Sequence, residues 1–400
     1  YTTVQAAINA APANLTSPYL IFIAAGTYNE CVYIPKTKPF IHLIGENPDR
    51  VKIQFALNRV EEQTNSDTWP YSIHNPNSPA RLAGYTTDQN CVVLIKATDV
   101  YLENISIINL YGALKSRYDG GLGKGGQAEA LCSHYDRLAM NNCKLVSFQD
   151  TWWTRFQKVN GTYGICRAYV QNSWIEGSTD YIWGSGDVLI ENSTFYNTGN
   201  GSFITASRSN ETDAYGYVMK DCTIDGEAGI TAFSFGRQQS TSAKAVFINT
   251  ALKMDIIDGH WTAGSAAPAL FGEYNTVDKN NQVISTGDMT VGSGSSQFTA
   301  KVLSADEAAG YTYENIIARE GWNPKQYMQT PGTTMATLDG TTLSWNAIDG
   351  AAGYLIFVNG VYLAQTTETS VSVTTAADGV YTVRGVGHYG SISACLLYTS

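Results

Sequence analysis

The sequence predicts an all-β chain, a parallel β-helix over most of its length followed by a small antiparallel β-sandwich-like module. Six segments share one pattern: an apolar residue, any residue, Asn or Asp, a small residue, any residue, and an apolar residue again. They are Leu102-Glu-Asn104-Ile-Ser-Ile107, Met140-Asn-Asn142-Cys-Lys-Leu145, Val170-Gln-Asn172-Ser-Trp-Ile175, Ile190-Glu-Asn192-Ser-Thr-Phe195, Met219-Lys-Asp221-Cys-Thr-Ile224 and Phe247-Ile-Asn249-Thr-Ala-Leu252. Only the first copy lacks the small residue. The Asn/Asp positions lie 38, 30, 20, 29 and 28 residues apart, so the shortest interval sets the repeat and the other copies carry loops. One such coil cannot bury its own apolar face, whereas stacked coils share an interior. Composition agrees: of 400 residues only 15% are charged, with 37 Gly and 25 Tyr, which suits β-structure with glycine turns. Finally, the pattern changes near Thr330-Pro331-Gly332 to alternating strands between Asp/Asn-Gly turns.

The elements follow in order. Val4, Ala7, Ile8 and Ala11 have helical spacing and end at Pro12, predicting a short amphipathic helix over 3–11 that caps the solenoid. Strands are expected at Leu20–Ala24, Ile41–Ile44 and Val51–Phe55. Residues 56–90, with Trp69, Pro70, Pro76 and Pro79, are expected to form a long inserted loop, and Asp119–Gly126 a second, glycine-rich one. The Asn/Asp of each copy is placed at a bend, where its amide can bond backbone and tolerate the left-handed conformation. The division expected is 1–329 for the β-helix and 330–400 for the module, a spacer or docking unit rather than a catalytic one.

A net charge of −10 argues against a nucleic-acid or anionic-membrane partner. No run of 18 apolar residues is present, so no membrane span is expected. The chain starts inside a folded element, so any secretion leader has been removed or lies outside the sequence. Seven cysteines show no metal-binding spacing. Cys143 and Cys222 fall on the small position of the repeat, where inward-facing free thiols are expected.

Asp150 lies eight residues after Asn142, and Asp180 eight after Asn172. On stacked coils two such carboxylates become neighbours about 4.8 Å apart. Paired carboxylates on a rigid surface can divide into a nucleophile and an acid. Other chemistries lack their residues: there is no GxSxG elbow, HExxH or P-loop. Gly121-Leu-Gly123-Lys-Gly-Gly126 matches GxGxxG without the strand and helix that would give the match meaning.

Nine further stretches occur in order: Thr3-Val-Gln-Ala-Ala-Ile8, Gly26-Thr-Tyr-Asn-Glu30, Gln127-Ala-Glu-Ala-Leu131, Gln149-Asp-Thr151, Asp180-Tyr-Ile-Trp-Gly184, Gly236-Arg237, Trp261, Phe271-Gly-Glu-Tyr274 and Trp322-Asn-Pro324. Together they resemble the pectin methylesterases, a carbohydrate esterase family with a right-handed parallel β-helix fold. The resemblance covers residues 1–324; the strand that opens the family's fold is absent. It implies that Asp180 is the nucleophile and Asp150 the general acid and base, that Gln127 and Gln149 hold the oxyanion, and that Arg237 orients Asp180. A guanidinium beside Asp180 would favour its charged form, and that anion would push Asp150 towards protonation. Trp261 is expected to stack on sugar in the cleft, ahead of Tyr181 and Trp183; Trp183 has packing inside the coil as its rival reading. The reaction implied is hydrolysis of galacturonate methyl esters in homogalacturonan, the polymer being the partner, with no metal or cofactor, by a secreted, periplasmic or cell-surface monomer.

The sequence departs from the family where Gly-Arg-Pro-Trp becomes Gly236-Arg-Gln-Gln239, removing a sugar-stacking tryptophan. The stretch between Asp150 and Asp180 is also longer than usual, with an extra loop expected near 157–164. The acidic charge predicts weak retention on de-esterified polyanion, with affinity rising as salt is added. Alternatives are a non-catalytic carbohydrate-binding solenoid, a β-helix lyase or hydrolase, which would need a different acid set, and an esterase of the same fold on another acyl group. In the C-terminal module, the settings of Trp345 and Tyr381 resemble fibronectin type III-like domains.

Overall fold

The computed structural model describes residues 1–58, 91–155, 162–374 and 379–394. The proline-rich stretch with Trp69, and most of the extra loop near 157–164, fall outside these residues. Among them, strands collect into three long sheets of 11, 8 and 7 members. Each complete coil visits all three. One passes through Leu138–Asn141, Lys144–Val146 and Trp152–Thr154, and the next through Arg167–Gln171, Trp174–Gly177 and Ile182–Gly184. Pairing between coils is parallel throughout, except where Met289–Val291 runs antiparallel to Phe298–Val302 at the far end. This is the right-handed parallel β-helix expected.

The repeat corresponds to the coil register residue for residue. Leu102, Met140, Val170, Ile190, Met219 and Phe247 are successive partners in the longest sheet. Ile107, Leu145, Ile175, Phe195, Ile224 and Leu252 do the same in the second. All twelve are buried in one continuous core. Between them the Asn/Asp residues make the corner, every one with φ between +50° and +58°. Asn and Asp enter this left-handed region at lower cost than other non-glycine residues. Their amides also bond along the stack: Asn142 Nδ2 donates to Asn104 Oδ1 at 2.7 Å, and Asn249 Nδ2 to Asp221 Oδ1 at 2.8 Å. A seventh corner at Asn275 (φ 53°) continues the ladder to Asn249 at 3.0 Å. It was not read from the sequence. The two repeat cysteines face inward, with Cys143 Sγ donating to Leu102 O and Cys222 Sγ to Ile190 O; all six described cysteines are buried.

The helix Val4–Ala10 covers the first coil with Val4, Ala7 and Ile8 buried. Thr3 caps it, accepting from Ala6 N at 3.1 Å, and Glu30 accepts from the N–H groups of Val4 and Gln5 at 2.8 and 3.0 Å. A carboxylate at a helix N-terminus satisfies otherwise orphaned donors. Gln5 completes the seal: its side chain accepts from Tyr33 N at 2.6 Å and donates to Tyr33 O at 3.1 Å. That pair of bonds closes an edge that would otherwise present unpaired backbone.

At the other end, helices Ala305–Ala309 and Tyr313–Ile316 and a 3₁₀ turn at Pro324–Met328 lead back along the outside of the longest sheet. Tyr313, Ile316, Ile317, Trp322 and Tyr327 pack there against Tyr101, Ala139, Tyr169, Leu189 and Val218. Beyond them stand two three-stranded antiparallel sheets. Trp345, Tyr354, Ile356, Tyr381 and Val383 fill the space between the two. Alternate residues of the middle strand, Leu355 and Phe357, turn the other way and pack with Ile44 on the β-helix. Ser391 Oγ donates to Glu103 Oε2 at 2.8 Å across the same junction. The module is therefore docked on the β-helix and does not hang from a spacer.

A histidine tunes this junction to pH. His42 is fully buried against Tyr101 and Tyr327, and its Nδ1 lies 2.8 Å from Tyr389 O, which requires a proton on that nitrogen. Burial pushes its pKa down to about 4, against opposing pulls from the Tyr389 carbonyl and Asp99. An unfolded His42 takes up a proton near pH 6.5 and the folded one does not. Its contribution is thus fully present above pH 6.5 and lost as pH falls towards 4, about 3 kcal/mol at most. Urea midpoints measured from pH 7 to pH 4 should fall less steeply in His42→Phe than in the parent chain.

Candidate active site

The third sheet carries the expected site on its outer face. Asp150 and Asp180 each lie two residues before the start of a strand of this sheet, and each sits in the left-handed conformation, at φ 58° and 52°. Both are corners of the coil, as the asparagines are at the previous bend. Because Trp152 pairs with Ile182 and Gln149 bridges Thr179, Asp150 and Asp180 are register neighbours. Gln127 in turn bridges Gln149 one coil earlier. Both carboxylates are buried, Asp150 at 2% exposure and Asp180 at 3%, although they lie on the outer side of the coil.

Each is held by a charged or amide donor. Arg237 makes a two-pronged contact to Asp180, Nε to Oδ1 at 2.9 Å and Nη2 to Oδ2 at 2.6 Å. Gln127 Nε2 donates to Asp150 Oδ2 at 2.9 Å. The hydrogen bond to Asp180 is the largest influence on Arg237; its pKa is raised, with burial opposing, and the charges of Asp180 and Asp150 add to the rise. The arginine is delivered from the strand Phe233–Gln238, two coils past Trp183 through the register Trp183–Ala206–Arg237. Gly236 permits the close approach: a Cβ there would lie 2.0 Å from Thr205 Oγ1. The guanidinium also lies over the Phe203 ring, 4.8 Å from its centre.

Two of the expected sugar contacts are elsewhere. Trp261 is 1% exposed and stacks on Phe271 at 4.3 Å inside the coil, packed also by Phe235 and Phe247. Tyr181 is wholly buried, its hydroxyl donating to Asn197 Oδ1 at 3.2 Å. The left-handed corner explains the latter. Strand alternation starts only after the bend, so Tyr181 and Ile182 both enter the core and Trp183 faces out. Trp183 is half-buried and lies against Trp153 of the preceding coil, the rings tilted by 35° with centroids 4.8 Å apart. Trp153 was missed, although it follows Asp150 by three residues as Trp183 follows Asp180. Phe203 carried no comparable signal.

The Pectinesterase family model matches residues 1–75 and 73–320. The chain belongs to the pectinesterase family. It is 27% identical over 327 residues to a probable pectinesterase A of Neosartorya fischeri, covering 81% of this chain and 85% of that protein. It is 30% identical over 246 residues to a pectinesterase of Sitophilus oryzae, covering 57% and 60%. Among solved structures, a pectin methylesterase from carrot superposes with a TM-score of 0.61 at 20% identity, covering 82% of this chain and 93% of that one. PemA of Erwinia chrysanthemi gives 0.60 at 22% identity, covering 81% and 94%; at these identities the likeness concerns the fold. As a pectinesterase the chain is a carboxylic ester hydrolase acting on pectin methyl esters. In this pectinesterase, Gln238 is buried and its Oε1 accepts from Gly264 N at 3.0 Å, while Gln239 is exposed. Among the described residues no helix is long and apolar enough to cross a membrane.

Proposed function

We propose that Asp180 is the nucleophile of this pectinesterase and Asp150 its proton carrier, acting on methylated galacturonate units of homogalacturonan. The observation that carries this reading is the two-pronged Arg237 contact on Asp180, one coil from an aspartate bound by Gln127. A carboxylate fixed at both oxygens by a guanidinium loses little freedom on attack. Asp180 adds to the ester carbonyl carbon, and the oxygen becomes a tetrahedral oxyanion. The side-chain amides of Gln127 and of the half-buried Gln149, bridged to it one coil on, donate to the oxyanion. Collapse expels the methoxy group, which leaves as methanol with the proton of Asp150. Asp150 then removes a proton from water, which cleaves the anhydride, releasing galacturonate and Asp180.

Trp153 and Trp183, in contact on adjacent coils, supply an apolar face for a sugar ring beside the carboxylates. The division at 329/330, with the C-terminal unit a fibronectin type III-like module, is supported by the separate core around Trp345 and Tyr381. A monomer in an extracellular, periplasmic or cell-surface setting suits a polymeric substrate. Methanol release from methylated polygalacturonate, run beside an acetylated polygalacturonate, tests the substrate. Release of acetate without methanol would overturn the methyl-ester reading.

A further inference from the structure

The third sheet has a second outward row, parallel to the one that carries Trp153, Trp183 and Arg237 and two residues further along each strand. Ladder bonds fix its register. His134 N donates to Ile95 O, Arg155 N to Ser133 O, Ser185 N to Thr154 O, Arg208 N to Gly184 O and Gln239 N to Ser207 O. The residues following those acceptors therefore line up as Lys96, His134, Arg155, Ser185, Arg208 and Gln239. Period-two alternation places them on the face of Trp153 and Trp183.

This row contains no acid, and three of its members are cations. Lys96 and Arg155 are half-buried and Arg208 is exposed. None of the three forms an ion pair with a described acidic residue, unlike Arg137, Arg167 and Arg237 on the same molecule. They stand on alternate coils, about 10 Å apart. Between Lys96 and Arg155 lies His134, fully buried with neither ring nitrogen hydrogen-bonded among the described residues. Burial, then Arg155 and Lys96, push its pKa down to about 3. The local field is positive in a chain of net charge −10. Arg155 also stands over the Trp153 ring, 5.1 Å from its centre, which ties the row to the aromatic face.

We propose that Lys96, Arg155 and Arg208 form a binding row for the free carboxylates of de-esterified galacturonate units, running beside the ester-cleaving site. This deepens the reading above, because it rests on a polyuronate chain lying on that face. Spaced cations match a polymer that bears one carboxylate per sugar once its esters are gone. The product stretch of a partly cleaved chain is then retained while a methylated unit reaches Asp180. It also reverses, for this face, the salt dependence that net charge predicts.

Calorimetric titration of the full chain with a de-esterified galacturonate oligomer tests the row at two salt concentrations. Binding should weaken between low and physiological salt, since these attractions are screened. The triple variant Lys96→Gln/Arg155→Gln/Arg208→Gln should bind roughly tenfold more weakly, and Arg208→Gln alone roughly threefold. A control triple on distant exposed lysines, Lys253→Gln/Lys279→Gln/Lys301→Gln, should change affinity less than twofold, which separates the row from bulk charge. Equal loss in both triples, unchanged affinity in the row triple, or affinity that rises with salt would overturn the proposal. The single variant serves if the triple does not fold. Methanol release by the unaltered chain is scored separately, so the ester reading and the row fail independently.

Discussion

Asp180→Ala is expected to lower kcat/KM for methanol release from methylated polygalacturonate by about 10⁴-fold or more, a loss typical of removing a nucleophile from a group that acts as a unit. Among the described residues the carboxylate bonds to Arg237 through both oxygens, so its removal also frees a half-buried guanidinium. Arg237→Gln separates the two effects. It leaves the proposed nucleophile in place but removes the fork that holds it, and kcat should fall while KM changes little. Thermal unfolding of both variants, measured alongside, should fall below that of the parent chain, since each leaves one member of a buried ion pair alone, and separates lost stability from lost chemistry. Asp180 is also held at φ 52°, and alanine tolerates that region less well, so Asp180→Asn is the better control for the backbone. Asparagine should be as inactive as alanine.

Arg167→Ala is expected to cost about 3 kcal/mol of stability, read as a lower urea midpoint, without a direct effect on the chemistry. Arg167 is 1% exposed. It donates to both oxygens of Asp136, Nε at 3.1 Å and Nη2 at 2.7 Å, and through Nη1 to Ile317 O at 3.2 Å. Its guanidinium lies over Trp322, 5.4 Å from the ring. The side chain thus ties the returning C-terminal segment to the middle coils. The loss falls at the low end of the usual range because Asp136 keeps Arg137 Nη1 at 3.1 Å. Arg167→Lys should recover only part of it, as an ammonium cannot serve the carboxylate and the carbonyl in one plane.

The coil register was legible because the repeat states it twice: once in the apolar pair that flanks each corner, and once in the corner itself, where only a few residue types enter a left-handed bend cheaply. The same logic located Asp150 and Asp180 relative to one another. It failed at the residue after the bend. Tyr181 was assigned to the groove as though alternation ran through the corner, whereas it enters the core behind it. Trp261 was misplaced for a related reason: it follows His260, a further left-handed corner at φ 58°, and turns inward onto Phe271. Trp153 could have been found by applying the Asp150–Asp180 register three residues on. The docking of the C-terminal module was not legible. It depends on the opposite sides of the strand Ala351–Val358 being apolar, with Tyr354 and Ile356 on one and Leu355 and Phe357 on the other, and such a continuous apolar run does not say what covers its second face.

By the proposed mechanism Asp180 forms a covalent acyl-enzyme. Adding hydroxylamine during turnover of a methylated oligogalacturonate, then analysing the Asp180-containing peptide by mass spectrometry, addresses it most directly. A hydroxamate on Asp180 that needs substrate, and is lost in Arg237→Gln in step with activity, is the predicted result. Continued methanol release with the Asp180 peptide unmodified and a hydroxamate on Asp150 instead would contradict it.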